Sequence, residues 1–111
     1  MPLHSPEVQH AITLIREAIR ILERSTPGSG SSLAQHLEHI EHGIPFQRKE
    51  AFAAIGSVCH PRALGDRFIR GMEHESWLDH LDALESACAT AFTLLDREFS
   101  TLTETERLQH T

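Results

Sequence analysis

Apolar residues in the last third of the chain recur every three or four positions, the spacing of one face of an α-helix. The pattern predicts one long C-terminal helix over about 76–102, with Ser76 as its N-cap residue. From Ser76 to Phe99 such a helix would extend about 35 Å, enough for the spine of a small helical domain. Its apolar stripe consists of Trp77, Leu81, Leu84, Cys88, Ala91, Phe92, Leu95, Phe99 and Leu102.

A second amphipathic pattern lies near the N-terminus. Ser5 is placed to act as the N-cap, and Pro6 occupies the first helical position, where proline is favoured. Leu14 and Ile21 lie about 100° or more away from the main apolar face. We therefore predict that they pack between neighbouring helices or form a self-association surface. The main face consists of Val8, Ile12, Ile15, Ile19 and Leu22.

A loop and a second helix follow. The segment 25–32 is rich in serine and glycine, which is typical of a loop. Ser32, with Gln35 in capping-box register, is the predicted start of the second helix. Gly43 is expected to end this helix in the left-handed conformation. The apolar stripe of the helix consists of Leu33, Leu37 and Ile40.

Two more short helices are predicted before the long one. The third helix runs over about 47–59 and ends before Pro61, because the residue preceding a proline is disfavoured in the α region. The fourth helix runs over about 61–70 and has Leu64 and Phe68 on its apolar side.

The apolar patterns together predict an all-α fold. No alternation of apolar and polar residues typical of a β-strand is found. We predict a compact bundle of four to five helices with a long C-terminal helix, in a single domain over 1–111. The last residues, about 103–111, are expected to fray.

Composition narrows the classes of partner. The chain has 16 Asp and Glu against 10 Lys and Arg, a formal net charge of −6 at pH 7. Such an excess disfavours nucleic-acid binding, because phosphates repel carboxylates, and it favours a basic partner. No apolar run long enough for a membrane span and no secretory signal is found. A cytoplasmic protein without membrane association is therefore expected.

Candidate catalytic chemistry is sparse. Cys59 and Cys88 fall on apolar faces and are expected to be reduced core thiols. Cys59 and His60 do not form a nucleophile pair by themselves, because neighbours on a helix do not face each other. Motifs for a nucleophile elbow, a phosphate-binding loop or a dinucleotide site are not found. We expect no enzymatic activity, no catalytic residue and no cofactor.

The nine histidines raise the question of a metal site. His36, His39 and His42 form the densest group, and imidazole is a good ligand for zinc, copper or nickel. The rotation of about 100° per helical residue makes these side chains diverge rather than converge on one ion. We expect solvated histidines and no metal, and a histidine-rich metal-binding bundle stays as an alternative.

Arginines in the predicted fourth helix suggest another function. Arg62, Arg67 and Arg70 could belong to the recognition helix of a helix-turn-helix-like DNA-binding regulator that uses the 61–70 helix. The negative net charge, Asp66 among the arginines and the proline-containing connection count against this alternative.

The polar face of the long helix is acidic. No Lys or Arg occurs between Gly71 and Asp96. The helix dipole favours carboxylates in the first helical turn, but it does not account for Asp82 and Glu85. We predict that this face binds a basic protein surface, since complementary charge raises association rate and specificity. The predicted contact residues are Glu75, Asp79, Asp82 and Glu85.

In size, charge sign and helix layout the chain resembles the small acidic helical immunity proteins of bacteria. It is similar in the same respects to helical accessory proteins of phages and mobile elements. The first resemblance implies a protein that binds and blocks a cognate toxin domain. The predicted function is therefore the binding of another protein, with toxin neutralisation as its most concrete form. A homodimer formed through Leu14 and Ile21 is a further expectation.

Overall fold

The computed structural model describes residues 5–60 and 62–101, whose regular secondary structure is helical, with no β-strand among them. The predicted class, a helical bundle with a long C-terminal helix, is confirmed. Leu102 and the tail 103–111 lie outside the described residues. The described helices are α1 (Pro6–Ser25), α2 (Ser31–His42), α3 (Pro45–Ser57) and α4 (His74–Thr101), with one 3₁₀ turn (Leu64–Asp66) between α3 and α4.

The long helix α4 is the central element of the bundle. It packs along both α1 and α3, while α2 packs mainly against α3. The apolar stripe predicted for α4 faces the core from Trp77 through Leu95. Burying such side chains is the main favourable term in folding. The largest fully buried side chains are Trp77, Phe52, Ile15, Leu22, Ile40, Ile55, Leu81, Leu84, Val8 and Cys88.

Helix α1 starts as predicted. The Val8 N–H donates to Ser5 Oγ at 3.3 Å, and Pro6 occupies the first helical position. A serine cap satisfies an amide that has no partner inside the helix. The main apolar face of α1 is buried, except that Ile19 is half-buried. Local sequence therefore determines where this helix begins and which side it buries.

The start of α2 differs from the prediction. The helix begins at Ser31 with Gly30 as N-cap, and no side chain within α2 caps it, so Ser32 is not the cap residue. The carboxylate of Glu23, at the end of α1, instead accepts the amides of Gly28 at 3.0 Å and Gly30 at 2.6 Å. A charged carboxylate is a stronger acceptor than a hydroxyl, and it also complements the helix dipole.

The end of α2 corrects another expectation. Gly43 has φ −82° and ψ 171°, which is extended backbone and not the left-handed conformation. A glycine is nevertheless required there, because a Cβ on Gly43 would lie 2.3 Å from the His39 carbonyl oxygen. Close approach of two backbone segments, rather than a positive φ, explains this glycine.

Helix α3 runs two residues ahead of the predicted 47–59. Pro45 takes the first helical position, and the Ile44 N–H donates to Gln47 Oε1 at 3.1 Å. The helix ends at Ser57. Cys59 lies beyond that end but is still buried, and its thiol donates to the Ile55 carbonyl at 3.2 Å.

Helix α4 begins earlier than predicted. The helix starts at His74, and the Trp77 N–H already donates to the Glu73 carbonyl at 3.1 Å. Ser76 therefore lies in the first turn and is not the N-cap residue. The early start places Glu75 in the first turn, where the helix dipole favours a carboxylate.

The predicted helix over 61–70 is not formed in the described part of that segment. Only Leu64–Asp66 make one 3₁₀ turn, residues 67–69 are non-helical, and Pro61 lies outside the described residues. The non-helical backbone turns Ile69 inward, whereas Phe68, predicted to face the core, is 85% exposed. Gly65 allows a close passage here, since a Cβ would lie 2.9 Å from the His60 carbonyl oxygen.

Candidate protein-binding surface

The four predicted contact residues lie on the exposed side of α4. Each of their side chains is exposed, while the opposite side of the same helix is buried. At about 100° per residue, the first three project in nearly one direction, and the last turns toward α3. We call this set the acidic surface, and it consists of Glu75, Asp79, Asp82 and Glu85.

The acidic surface has no counterion of its own. None of its carboxylates forms an ion pair or a hydrogen bond with a described residue. Farther along α4, in contrast, Asp96 accepts from Lys49 Nζ at 3.2 Å. The Arg16–Glu41 pair joins α1 to α2. Carboxylates that hold the bundle together thus lie elsewhere, and those of the acidic surface are available to a partner.

Lys49 shows why Asp96, near the C-terminal end of α4, is not part of the acidic surface. Its side chain is only 15% exposed, and its ammonium lies 4.7 Å from the ring centroid of Phe99. Phe46 and Phe92 lie at 5.5 and 5.8 Å from the same ammonium. The Lys49 ammonium is therefore engaged by Asp96 and by cation–π contacts, and these interactions join α3 to α4.

An open groove lies between α3 and α4, next to Glu85. Its volume is about 470 Å³. Phe52 and Cys88 are fully buried at its floor, and Phe92 is half-buried. Gly56 keeps the groove open on the α3 side, because a Cβ there would reach only 3.9 Å from Cys88 Cβ. The exposed residues around its edge are Ala53, Ser57, His60, Glu85, Ala89 and Thr93.

The thiols near this groove are unsuited to nucleophilic chemistry. Burial, and then the charge of Glu85, raise the pKa of Cys59 to about 12. Burial, and then its interaction with Cys59, raise the pKa of Cys88 to about 12. Both thiols are free and buried, as predicted. Since the thiolate is the reactive form, protonated thiols favour a packing role over a catalytic one.

The predicted histidine group does not converge. His36 is half-buried, whereas His39 and His42 are exposed. Burial, and then the charge of His39, lower the pKa of His36. Within the described part of the chain, no group of three or more His, Cys, Asp or Glu side chains is arranged to hold a metal ion.

The arginines of the DNA-binding alternative lie on an irregular segment. Arg62, Arg67 and Arg70 are exposed, but the segment holds only the 3₁₀ turn Leu64–Asp66. A recognition helix needs several turns to present side chains along a major groove. The prediction of a helix over 61–70, on which this alternative depended, is therefore wrong.

Leu14 and Ile21, predicted for self-association, are half-buried and pack against the edge of the core. Self-association through them stays a prediction. Ile21 also borders a shallow depression at the end of α1, formed with Arg24, Ile69, Arg70, Gly71 and Met72.

The groove and the exposure of Phe68 were not predicted. The groove consists of residues from two helices, so no local pattern could reveal it. For Phe68 a signal existed, because Gly65 and Asp66 are weak helix formers in the middle of the proposed helix. That signal argues for irregular backbone at this point, and hence against Leu64 and Phe68 sharing a face.

No protein-family model, no curated protein and no solved structure matches this chain. In 5–60 and 62–101, no helix combines the length with the apolar character that a bilayer crossing requires.

Proposed function

We propose that this protein is a small helical binding protein without catalytic activity, which binds another protein through the acidic surface of α4. The observation that carries the proposal is a row of exposed carboxylates with no ion pair to any described residue. Exposed carboxylates without counterions are stabilised most by a partner of opposite charge. The partner is therefore a protein with a basic surface.

Electrostatics and shape both support this proposal. A net charge of −6 attracts a basic protein from a distance and speeds encounter. Affinity, in contrast, depends on a desolvated apolar centre surrounded by polar residues. The groove beside Glu85 supplies such a centre, with Phe52 and Phe92 inside and polar groups around it. An apolar side chain of the partner would enter this groove.

The most concrete form of the proposal is neutralisation of a toxin or effector, as the resemblance to immunity proteins implies. An acidic protein that covers a basic working surface blocks access to it without any chemistry. We also infer a cytoplasmic location, because Cys59 and Cys88 are free thiols in the core. A bacterial or phage accessory protein would fit this description.

The experiment compares two matched charge-reversal variants. The test variant replaces all four residues of the acidic surface by lysine: Glu75→Lys, Asp79→Lys, Asp82→Lys and Glu85→Lys. The control variant changes the same number of exposed glutamates on other helices: Glu7→Lys, Glu17→Lys, Glu38→Lys and Glu50→Lys. Glu7 and Glu75 each lie in the first turn of a helix, so both variants lose similar dipole stabilisation.

The partner is captured from native cells with the unmodified protein, purified, and titrated against all three proteins over a range of salt concentrations. We expect the test variant to lose at least about tenfold in affinity and most of the salt dependence of the association rate. The control variant changes both less, since it alters net charge equally but not the surface. Equal losses in both variants would contradict the assignment, as would none.

A further inference from the structure

Phe68 has the most exposed large apolar side chain in the described part of the chain, at 85%. Its backbone is nevertheless held in place. Ser25 Oγ donates to the Phe68 carbonyl at 3.2 Å and accepts from the Arg70 N–H at 3.0 Å. Ile69, between them, is buried. The ring is thus held away from its own core, and a partner that covers it orders little new backbone.

Arginines occur close to Phe68 in the sequence. Arg67 and Arg70 flank Phe68 and are exposed, and Arg24 shares a shallow depression with Arg70. None of them forms an ion pair with a described residue. Asp66 offsets one of these charges. We call the segment Arg67–Arg70 the tip. It carries an exposed aromatic side chain together with exposed arginines, although the chain as a whole has a net charge of −6.

The groove between α3 and α4 has the complementary chemistry. Its floor is apolar, with the half-buried ring of Phe92 among its lining residues. Glu85 lies at its edge, and Asp82 lies one turn earlier on the same helix. Its volume of about 470 Å³ lies in the range of sites that enclose organic groups.

We propose that the tip of one molecule docks into the groove of a second copy of this chain. Phe68 enters between α3 and α4 of the second copy, and Arg67 and Arg70 approach Asp82 and Glu85. The contact is intermolecular because Ser25 anchors the tip at the end of α1 in its own chain. It differs from self-association through Leu14 and Ile21, and it does not depend on the proposed partner.

A contact between two different surfaces allows a test that a self-complementary patch does not. Phe68→Ala removes the tip and leaves the groove intact. Gly56→Leu fills the groove and leaves the tip intact. A Cβ at Gly56 makes only ordinary contact with Cys88, and leucine is a better helix former than glycine. Each variant then lacks one half of the contact.

The purified proteins are compared by sedimentation equilibrium up to about 1 mM. We expect wild type to self-associate and each variant alone to associate at least about tenfold more weakly. An equimolar mixture of the variants should form a one-to-one dimer. Glu85→Arg, at an exposed position, is a second groove variant in case Gly56→Leu does not fold. Ile44→Ala, which removes another exposed apolar side chain, serves as control and should associate like wild type.

Three results would overturn the proposal. One is a wild type that stays monomeric over the whole concentration range. Another is unchanged association of Phe68→Ala, which would place the contact elsewhere, for instance at Leu14 and Ile21. The third is a mixture that associates no better than its components. Because no other protein is present, failure here leaves the proposed binding of a basic partner unaffected.

Discussion

A single side chain, Trp77, connects the irregular segment before α4 to the core. Its ring is fully buried, and its Nε1–H donates to the Leu64 carbonyl at 2.7 Å. The same carbonyl accepts the Arg67 N–H at 3.2 Å, at the end of the 3₁₀ turn. The indole therefore supplies both apolar area and a second hydrogen bond to the Leu64 carbonyl.

Replacing Trp77 by phenylalanine tests this double role. Trp77→Phe keeps an aromatic ring but removes the N–H and leaves unfilled space. We expect the free energy of unfolding to fall by about 2–4 kcal/mol, from the lost hydrogen bond and the cavity together. Trp77 is the only tryptophan, so the variant has no tryptophan fluorescence. Urea unfolding is therefore followed by far-UV circular dichroism.

The control for Trp77→Phe is Arg20→Ala, at an exposed position of α1. We expect it to change stability by no more than about 0.5 kcal/mol. A Trp77→Phe protein that unfolds at the wild-type urea concentration would show that the indole contributes no more than a benzene ring.

Between elements, a side chain at the end of α1 caps the turn that leads into α2. Glu23 accepts the amides of Gly28 and Gly30, two of the groups left without helical partners at this junction. These backbone hydrogen bonds, the one from Gly30 first, hold the pKa of Glu23 below its ordinary value of 4.5. The turn between the helices therefore depends on a charged side chain from the preceding helix.

A lowered pKa has a definite consequence for stability. The unfolded chain takes up the proton on Glu23 at a higher pH than the native protein does. The stabilisation by Glu23 is therefore complete above its ordinary pKa of 4.5 and decreases as the pH falls below it. We expect Glu23→Gln to unfold at lower urea than wild type at neutral pH, and the difference to shrink at about pH 3.

Urea titrations of wild type and Glu23→Gln at both pH values measure this effect. Glutamine keeps one carbonyl acceptor, so the difference reports on the charge. Glu17→Gln, at an exposed position of α1, is the matched control and should show no such pH dependence. A Glu23→Gln difference that persists unchanged in acid would contradict a role for the carboxylate charge.

At the scale of the whole molecule, α4 links α1 and α3 in one core. It contacts α1 on one side and α3 on the other, and the buried residues of all these helices form a single cluster. Trp77 lies within that cluster, so its fluorescence reports on the common core. A single core of this size favours all-or-none unfolding.

We therefore expect one unfolding transition. Trp77 fluorescence and far-UV circular dichroism should give the same urea midpoint and the same slope for this 111-residue chain. Fluorescence follows the core around Trp77, whereas dichroism follows all the helices. Separate midpoints would mean that part of the bundle unfolds independently, contrary to the single domain that the sequence predicts.

The sequence by itself determined the four α-helices and which side of each is buried, but not the irregular segment after His60. This information is local, because an apolar residue every three or four positions defines a face whatever lies opposite. The core positions of α4 and the exposure of Asp79 and Asp82 followed directly. The Ser5 cap was also predictable, since its donor at Val8 lies three residues away.

Only the tertiary structure decided how the helix ends are satisfied. Ser32 lies inside α2, and Glu23 reaches the turn before this helix from α1. In the segment after His60, the Trp77 indole donates to the Leu64 carbonyl, and Ile69 rather than Phe68 reaches the core. These contacts join groups far apart in sequence, so the local pattern of apolar residues does not reveal them.

Part of the candidate site could be predicted from the sequence, and part required the tertiary structure. The acidic surface could be predicted, because its carboxylates share one helix and one face. The groove beside Glu85 and the outward position of Phe68 required the packing of α3 on α4 and the anchoring of the tip by Ser25. A row of side chains on one helix follows from the spacing of residues in the sequence. A concave surface between two helices exists only once the helices pack side by side.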